Sequence, residues 1–183
     1  MRVITGSARG VRLKTPNGMK TRPTTDRVKE AVFSMVQFEI EGRKFLDLFA
    51  GTGQMGIEAL SRGASRAVFV DGWKDACALV RENLRLSRLS DRASVVQGDY
   101  LSYLQSCREK FDIVFLDPPY AEVFLENALK KISEIDILSD RGIIICERPA
   151  EKRLDLDFPG LQREKDARYG KTWITIFRKV SQQ

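Results

Sequence analysis

The fold is decided by the stretch Phe45-Leu46-Asp47-Leu48-Phe49-Ala50-Gly51-Thr52-Gly53-Gln54-Met55-Gly56. Its first half, Phe45–Ala50, is an apolar run with the composition of a buried strand, and its second half carries three glycines spaced G-x-G-x-x-G. This spacing between a strand and a helix is typical of a nucleotide-binding βα unit, in which the backbone approaches the ligand closely. We therefore predict a strand, a glycine loop and a helix over about 54–62.

Short apolar runs alternate with helical periodicity along the chain beyond this stretch. Further strands are predicted at Ala67–Val70, Ser94–Gln97, Ile113–Leu116 and Ile143–Cys146, with helices at about 73–86, 100–107 and 122–135. Strands that are apolar on both faces and separated by helices indicate an α/β fold with a parallel sheet. The strand-like Lys171–Arg178 follows only the short stretch 161–170, which has no room for a crossover helix. The last two strands are therefore predicted to form an antiparallel hairpin.

The first forty residues stand outside this alternation. Arg2–Ile4 and Val11–Leu13 predict a small hairpin, and an apolar stripe predicts a helix from about Asp26 to Val36. We therefore divide the chain into an N-terminal arm over 1–40, packed on the core, and a catalytic domain over 41–183.

Positive charge is concentrated in this arm. Residues 1–29 hold eight basic residues and one acid, and subtracting them from the chain's 31 basic and 25 acidic residues leaves a nearly neutral remainder. Such asymmetry predicts contact with a polyanion, because Lys and Arg release counterions when they bind phosphates. A solvated basic face gives the same pattern, so the charge is not decisive by itself.

Composition excludes several classes of function. The chain has no histidine, which excludes His-based nucleophilic catalysis and His-ligated metal sites. Its three cysteines, Cys77, Cys107 and Cys146, fit no zinc pattern and indicate free thiols. There is no apolar run of membrane-spanning length and no signal-peptide pattern at the start. We expect a soluble, cytoplasmic, monomeric protein that uses no metal and contacts no membrane.

Asp47 distinguishes between two classes of nucleotide. It lies four residues before Gly51, near the carboxyl end of the strand. The pyrophosphate of a nicotinamide dinucleotide would be repelled there by the carboxylate. S-adenosylmethionine has no phosphate, and its ammonium and sulfonium groups would be attracted. The pattern therefore favours S-adenosylmethionine, although a carboxylate that caps the following turn remains an alternative.

Two further acids follow predicted strands. Asp71 lies twenty residues after Gly51, where a carboxylate can accept hydrogen bonds from ribose hydroxyls. Asp99 is placed to accept from an adenine amino group beside the apolar walls of Trp73 and Tyr100, and it is equally placed to cap the next helix. The two roles of Asp99 are compatible.

Asp117-Pro118-Pro119-Tyr120 follows the strand Ile113–Leu116 and is the candidate reaction centre. The prolines fix φ and leave carbonyls free to accept hydrogen bonds. The Asp117 carboxylate and the Pro118 carbonyl can each accept one N–H of an exocyclic amine, while Tyr120 offers a face for base stacking. The motif therefore predicts methyl transfer to an exocyclic amine of a nucleic-acid base, although a proline turn with an ordinary acid would look alike.

The two motifs together resemble the amino-methyltransferases of nucleic acids. The stretches Arg2-Val3-Ile4-Thr5-Gly6-Ser7-Ala8-Arg9-Gly10 and Arg22-Pro23-Thr24-Thr25-Asp26-Arg27-Val28 are similar to the RsmD family, as is Tyr169-Gly170-Lys171-Thr172. The resemblance implies a class I S-adenosylmethionine-dependent methyltransferase fold, with a seven-stranded mixed sheet whose last strand is antiparallel and a small basic N-terminal extension. It also implies methylation of guanine N2 in bacterial 16S rRNA, at the nucleotide G966, with S-adenosylhomocysteine as product. The substrate would be free rRNA or the assembling small ribosomal subunit.

The candidate site residues follow from the motifs and the resemblance. Those for the cofactor are Asp47, Phe49, Gly51, Thr52, Gly53, Asp71, Gly72, Trp73, Asp99 and Tyr100, those for catalysis are Asp117, Pro118, Pro119 and Tyr120, and those for RNA are Arg9, Arg12, Arg22, Thr24 and Arg27. The family commonly has Glu where this chain has Asp71. A methyltransferase for adenine N6 or another exocyclic amine on DNA or RNA, an inactive RNA-binding protein and a nicotinamide dehydrogenase remain alternatives. The small size argues against a sequence-specific DNA enzyme.

Overall fold

The computed structural model describes residues 1–16, 26–119, 122–151, 154 and 157–180. The helices are α1 Asp26–Met35, α2 Gln54–Ser61, α3 Lys74–Ser87, α4 Tyr100–Ser106 and α5 Glu122–Glu134. The strands are β1 Lys44–Asp47, β2 Arg66–Asp71, β3 Ala93–Gln97, β4 Phe111–Leu116, β5 Leu138–Pro149, β6 Leu161–Tyr169 and β7 Thr172–Lys179. None of the described helices is both long and apolar enough to cross a membrane.

The strands form one seven-stranded sheet in the order β3-β2-β1-β4-β5-β7-β6. Strands β1 to β5 are parallel, and β7 is antiparallel to both β5 and β6. The predicted parallel sheet and its antiparallel last strand are confirmed. The strand order reverses between β1 and β4, so the crevice at their carboxyl ends is where this architecture binds ligands.

Helices cover both faces of the sheet. Residues of α1, α2, α3 and the N-terminal hairpin pack on one face, and residues of α4 and α5 pack on the other. The central strands β1, β2 and β4 contribute alternate side chains to both layers. Burial on both faces explains why these strands are apolar without interruption.

The predicted hairpin near the N-terminus is present. The Val3 N–H donates to the Val11 carbonyl at 3.0 Å, the Gly10 N–H donates to the Val3 carbonyl at 2.8 Å, and Arg2 pairs with Arg12 in an antiparallel bridge. Three apolar side chains of this segment, Val3, Ala8 and Leu13, are buried against the helices beneath. Residues 1–16, named here the basic arm, are therefore part of the core layer on the α2 face.

Strand boundaries differ most from the prediction at β1, β5 and β6. Strand β5 runs over Leu138–Pro149 and is longer at both ends than the predicted Ile143–Cys146. Strand β1 ends at Asp47 rather than Ala50, because the chain turns there into the glycine loop. Residues 161–169, which were predicted only as a short connection, form the strand β6. Its exposed central residues are Gln162, Arg163, Glu164, Lys165 and Asp166. Charged side chains are common on an edge strand, where they discourage pairing with another chain.

Candidate active site and basic arm

The glycine loop crosses from β1 to α2 at the carboxyl edge of the sheet. Gly51 and Gly53 have φ values of 54° and 77°, in the left-handed region that favours glycine. The Gly53 N–H donates to the Ala50 carbonyl at 2.7 Å and closes the turn. A Cβ atom added to Gly51 would meet no atom within 4 Å. The outer surface of the loop is therefore bare backbone that a ligand can approach.

The third glycine of the motif lies between α2 and the sheet. A Cβ atom on Gly56 would lie 2.3 Å from Cε1 of Phe69 in β2, closer than side-chain packing permits. Glycine is needed at this position because the helix lies directly on the strand. This contact holds the start of α2, and with it the glycine loop, against β2.

Asp47 lies at the end of β1 and is only 2% exposed. Its Oδ2 accepts the Gly56 N–H at 3.2 Å, so the contact with the first turn of α2 that the sequence left open is present. Burial raises the pKa of Asp47 to about 7, and the nearby Asp71 adds to the rise, while the Gly56 hydrogen bond opposes it. A cation beside this carboxyl group would favour its ionised form.

Asp71 connects the end of β2 to the glycine loop. Its Oδ2 accepts the Gly51 N–H and its Oδ1 accepts the Trp73 N–H, both at 2.9 Å. Each carboxylate oxygen can accept a second hydrogen bond, so both remain able to bind ribose hydroxyls. The nearest atom to a Cβ on Gly72 would be the Gly98 carbonyl oxygen at 3.9 Å. The backbone that follows β2 and β3 therefore leaves open space beside this carboxylate.

Asp99 begins α4, as the capping alternative predicted. Its Oδ1 accepts from the backbone N–H of Ser102 at 2.9 Å and from the Ser102 hydroxyl at 3.2 Å. The side chain is exposed, so the cap leaves it accessible to a ligand at the same edge of the sheet.

Aromatic rings lie near the ends of β1, β2 and β3. The Tyr100 ring centroid is 5.0 Å from that of Phe49 and 5.6 Å from that of Phe124 in α5. Tyr100 is buried in this row, whereas Trp73 is 65% exposed. The two aromatic residues predicted to line the adenine site therefore differ in environment. Tyr100 packs against Phe49 and Phe124, whereas the Trp73 ring is exposed near Asp71.

Asp117 has a second carboxylate beside it that the sequence analysis missed. Leu116 of β4 pairs with Cys146 of β5, so the next residues, Asp117 and Glu147, lie side by side. Burial raises the pKa of Asp117 well above its usual range, and the carboxylates of Glu147 and Asp47 add to this rise. An acid directly after the apolar run Ile143–Cys146 is the signal that could have identified Glu147.

The rest of the reaction motif is described in part. Pro118 is partly exposed and Pro119 is exposed, at the carboxyl edge of the sheet where β4 ends. Tyr120 lies outside the described residues, and its predicted stacking role stays a prediction. Within the described ranges, no group of three or more Cys, Asp or Glu side chains has the arrangement of a metal site.

Glu58 of α2 is a buried anchor for the basic arm. Its two carboxylate oxygens accept the backbone N–H groups of Ile4 and Thr5 at 2.8 Å and 3.0 Å. The Arg62 Nε lies 2.9 Å from one of these oxygens, and the buried Lys29 Nζ lies 3.7 Å from the other. Glu58 and Lys29 are fully buried, so arm, α1 and α2 meet at one charged cluster.

The predicted RNA-binding residues are exposed where the structure describes them. Arg9, Arg12 and Arg27 all lie on the surface. Arg22 and Thr24 fall outside the described residues. The exposed face of α3, beside the arm, and the residue directly after this helix add basic side chains that the sequence analysis did not single out: Lys74, Arg81, Arg85 and Arg88.

Comparison with known proteins finds similarity along almost the whole chain. A family described as "Conserved hypothetical protein 95" matches residues 1–178. The Bacillus subtilis protein YlbH, provisionally named an rRNA methyltransferase, is 40% identical over 182 residues, which are 98% of this chain and 99% of YlbH. The "Ribosomal RNA small subunit methyltransferase D" of Haemophilus influenzae is 36% identical over 157 residues, covering 84% of this chain and 81% of that protein.

A solved structure agrees with the sequence comparisons. The Escherichia coli protein yhhF, provisionally described as a methyltransferase, superposes with a TM-score of 0.91 at 28% identity, covering 100% of this chain and 99% of that one. The predicted methyltransferase fold is thereby confirmed. With a family match over nearly the full length and relatives above 30% identity, the chain belongs to the RsmD/YlbH family of S-adenosylmethionine-dependent methyltransferases.

Proposed function

We propose that this protein transfers a methyl group from S-adenosylmethionine to guanine N2 in bacterial 16S rRNA, the G966 N2 reaction expected from the resemblance to RsmD. The observation that carries the proposal is the adjacency of two sites at one edge of the sheet. Asp117 and its prolines follow β4, and the glycine loop follows Asp47 at the end of β1, the strand paired directly with β4.

The donor groups of the crevice fit the proposed cofactor. Asp47 and Asp71 end β1 and β2, and Asp99 lies just after β3. The glycine loop exposes bare backbone between the first two carboxylates. Carboxylates attract an ammonium and a sulfonium and accept from hydroxyl and amino groups, whereas they would repel a pyrophosphate. Asp47 would face the methionine part and Asp71 the ribose. Asp99 and the exposed Trp73 ring would bind the adenine.

The reaction centre would act mainly by positioning. The bound cofactor supplies a methyl group already activated on sulfonium, so the protein must align the attacking amine with it. The Asp117 carboxylate and the Pro118 carbonyl each accept an N–H of the amine, which turns its lone pair toward the methyl group. Because burial and neighbouring carboxylates raise the pKa of Asp117, this group can take the proton released when the amine is alkylated.

The basic arm and α3 support RNA as the substrate. Arg9, Arg12 and Arg27 are exposed on the layer that also presents the basic stripe of α3. Phosphate contacts from such residues give affinity and orientation, while the target base is selected at the reaction centre. A guanine N2 is reached in an unpaired or flipped-out base, as RNA readers generally require. We also propose that the chain divides at residue 40 into an RNA-facing N-terminal segment, which includes the basic arm, and the catalytic domain.

Methyl transfer from labelled S-adenosylmethionine tests the function directly. The purified protein is given naked 16S rRNA, partly assembled small subunits and duplex DNA, and the modified nucleoside is identified by mass spectrometry. We expect N2-methylguanosine at a single site in rRNA or in the subunit. N6-methyladenosine, or transfer to DNA alone, would overturn the guanine N2 proposal, and absence of transfer from a protein that binds rRNA would favour an inactive RNA-binding protein.

A further inference from the structure

Asn83 joins the basic arm to the glycine loop. It is fully buried in α3, and its side-chain amide makes three hydrogen bonds outside its own helix. The Oδ1 accepts the Lys14 N–H at 2.7 Å, while Nδ2 donates to the Lys14 carbonyl at 3.1 Å and to the Thr52 carbonyl at 2.9 Å. Both amide hydrogens are thus used, one for the arm and one for the loop.

The other anchors of the arm do not reach the loop through hydrogen bonds of this kind. Glu58 and Ser61 bind arm residues 4–8 to α2. The remaining contact between arm and loop, from the Thr52 hydroxyl to the Met1 sulfur at 3.7 Å, uses a weak acceptor. Among the described residues, Asn83 is therefore the principal polar connection between the two segments.

We propose that Asn83 is a positioning residue that couples cofactor binding at the glycine loop to RNA binding at the arm. The inference rests on the proposed function, which places the cofactor at Thr52 and RNA on the arm. A ligand that orders Thr52 also orders Asn83 and Lys14, and a ligand that orders the arm does the same from the other side. Each ligand then lowers the entropic cost of binding the other, so the coupling is positive and reciprocal.

The coupling is measured in a complex that cannot react. The affinity of S-adenosylhomocysteine is determined by calorimetry with and without a saturating 16S rRNA transcript. For the wild-type protein we expect the transcript to tighten binding by about fivefold or more, the lower end of typical coupling between sites. In Asn83→Leu, which has similar volume but no hydrogen-bonding groups, the ratio should fall to about one.

Two variants separate coupling from a general loss of stability. Ser87→Ala removes a buried hydroxyl of the same helix, which donates to the backbone carbonyls of Asn83 and Leu84. Ser61→Ala loosens the arm at Thr5 and Ala8 without touching the loop. Both variants should keep the wild-type ratio, even if their thermal unfolding is shifted as much as that of Asn83→Leu. A wild-type ratio of one, or an unchanged ratio in Asn83→Leu, would overturn the inference.

Hydrogen exchange in the wild-type protein keeps the test decisive if Asn83→Leu does not fold. S-adenosylhomocysteine should slow exchange of the Lys14 amide while leaving the Ile4 and Thr5 amides, which are bonded to Glu58, unchanged. Unaltered exchange at Lys14 would contradict the coupling. Methyl transfer to rRNA without any coupling would remove this inference alone, whereas failure to bind the transcript would remove the proposed function and this inference with it.

Discussion

The carboxylate of Asp71 accepts the backbone N–H of Gly51 at 2.9 Å, so the end of β2 holds the glycine loop in place. Its other oxygen accepts from the Trp73 N–H, which also holds the start of the following segment. One side chain therefore orients the loop and the exposed Trp73 ring, on either side of the proposed nucleoside position. The short Asp side chain is suited to bonds this close to its own backbone.

Asp71→Ala is expected to weaken S-adenosylhomocysteine binding by about 10- to 100-fold, because two backbone donors and the ribose contact lose their acceptor. Asp71→Glu, which restores a carboxylate one methylene further out, should recover part of this loss. Calorimetric titration measures both, with Asp75→Ala on the exposed start of α3 as the control. Equal affinities in the wild type and Asp71→Ala would exclude a role for Asp71 in the cofactor site.

Cofactor affinity should fall with acidity because the pKa of Asp47 is raised to about 7. The cationic cofactor favours the ionised carboxylate, so below this pH a proton must leave first and affinity falls by up to about tenfold per pH unit. In the free protein, Asp47 makes folding stability depend on pH in the opposite direction to an ordinary Asp, whose pKa is lowered by folding. The folded state holds the proton more tightly, so stability from Asp47 is greatest below about pH 4 and is lost as pH rises toward 7.

Titration of S-adenosylmethionine from about pH 6 to about pH 8 tests this linkage. Asp47→Asn should bind more weakly at the upper end of this range and show a flatter pH profile. A slope that persists unchanged in Asp47→Asn would assign the titration to another group.

Asp117→Ala is expected to lower kcat by about a hundredfold or more, since it removes both an acceptor for the target amine and the group that takes its proton. Cofactor affinity should change little. Asp117→Asn keeps an acceptor oxygen and should therefore retain more activity than Asp117→Ala. Single-turnover methyl transfer together with cofactor titration separates the two effects, and full turnover by Asp117→Ala would remove this residue from the mechanism.

Glu58→Gln should destabilise the protein by about 3–5 kcal/mol, because it leaves the fully buried Lys29 cation without its fully buried partner. Burial already lowers the pKa of Lys29, and the Glu58 carboxylate is the largest influence opposing that shift. Urea unfolding measures the change. The control is Glu82→Gln, which breaks the more exposed pair with Lys14 and should alter stability far less, because exposed ion pairs contribute little. Similar losses in both variants would contradict a special role for the buried cluster.

Replacing Arg9 and Arg12 by Gln should weaken rRNA binding and reduce its dependence on salt, while cofactor affinity stays constant. Each lost phosphate contact lowers the slope of log affinity against log salt by about 0.7–0.9. Filter binding at several salt concentrations measures this slope. Lys130→Gln removes an exposed charge from α5, on the opposite face of the sheet, and should leave the slope unchanged. An unchanged slope in the arginine variant would make the arm a solvated basic face.

The sequence predicted the elements whose pattern is local. The strand, glycine loop and helix around Gly51, the antiparallel last strand and the N-terminal hairpin are confirmed. Strand β6 was harder to predict, because its run of charged residues is atypical of a strand and only pairing with β7 at the sheet edge explains it.

The polar residues of the site that sequence reasoning missed have distant partners. Glu58 and Glu147 lie within largely apolar segments, whereas Asn83 lies among charged residues of α3. Nothing near them in the chain shows what they contact. All eight residues of α2 are buried, including the polar Gln54, Glu58 and Ser61, so the helix is covered on every side although its composition is mixed. The cover on its outer side is the basic arm.

The attachment of the basic arm also determines when it can fold. Its hydrogen bonds to Glu58, Ser61 and Asn83 join residues that are 53 to 69 positions apart in the chain. Closing loops of this length costs conformational entropy. Contacts between distant segments therefore generally form late in folding. During synthesis the arm leaves the ribosome before either helix that receives it exists. The segment translated first is therefore expected to be the last to reach its native position.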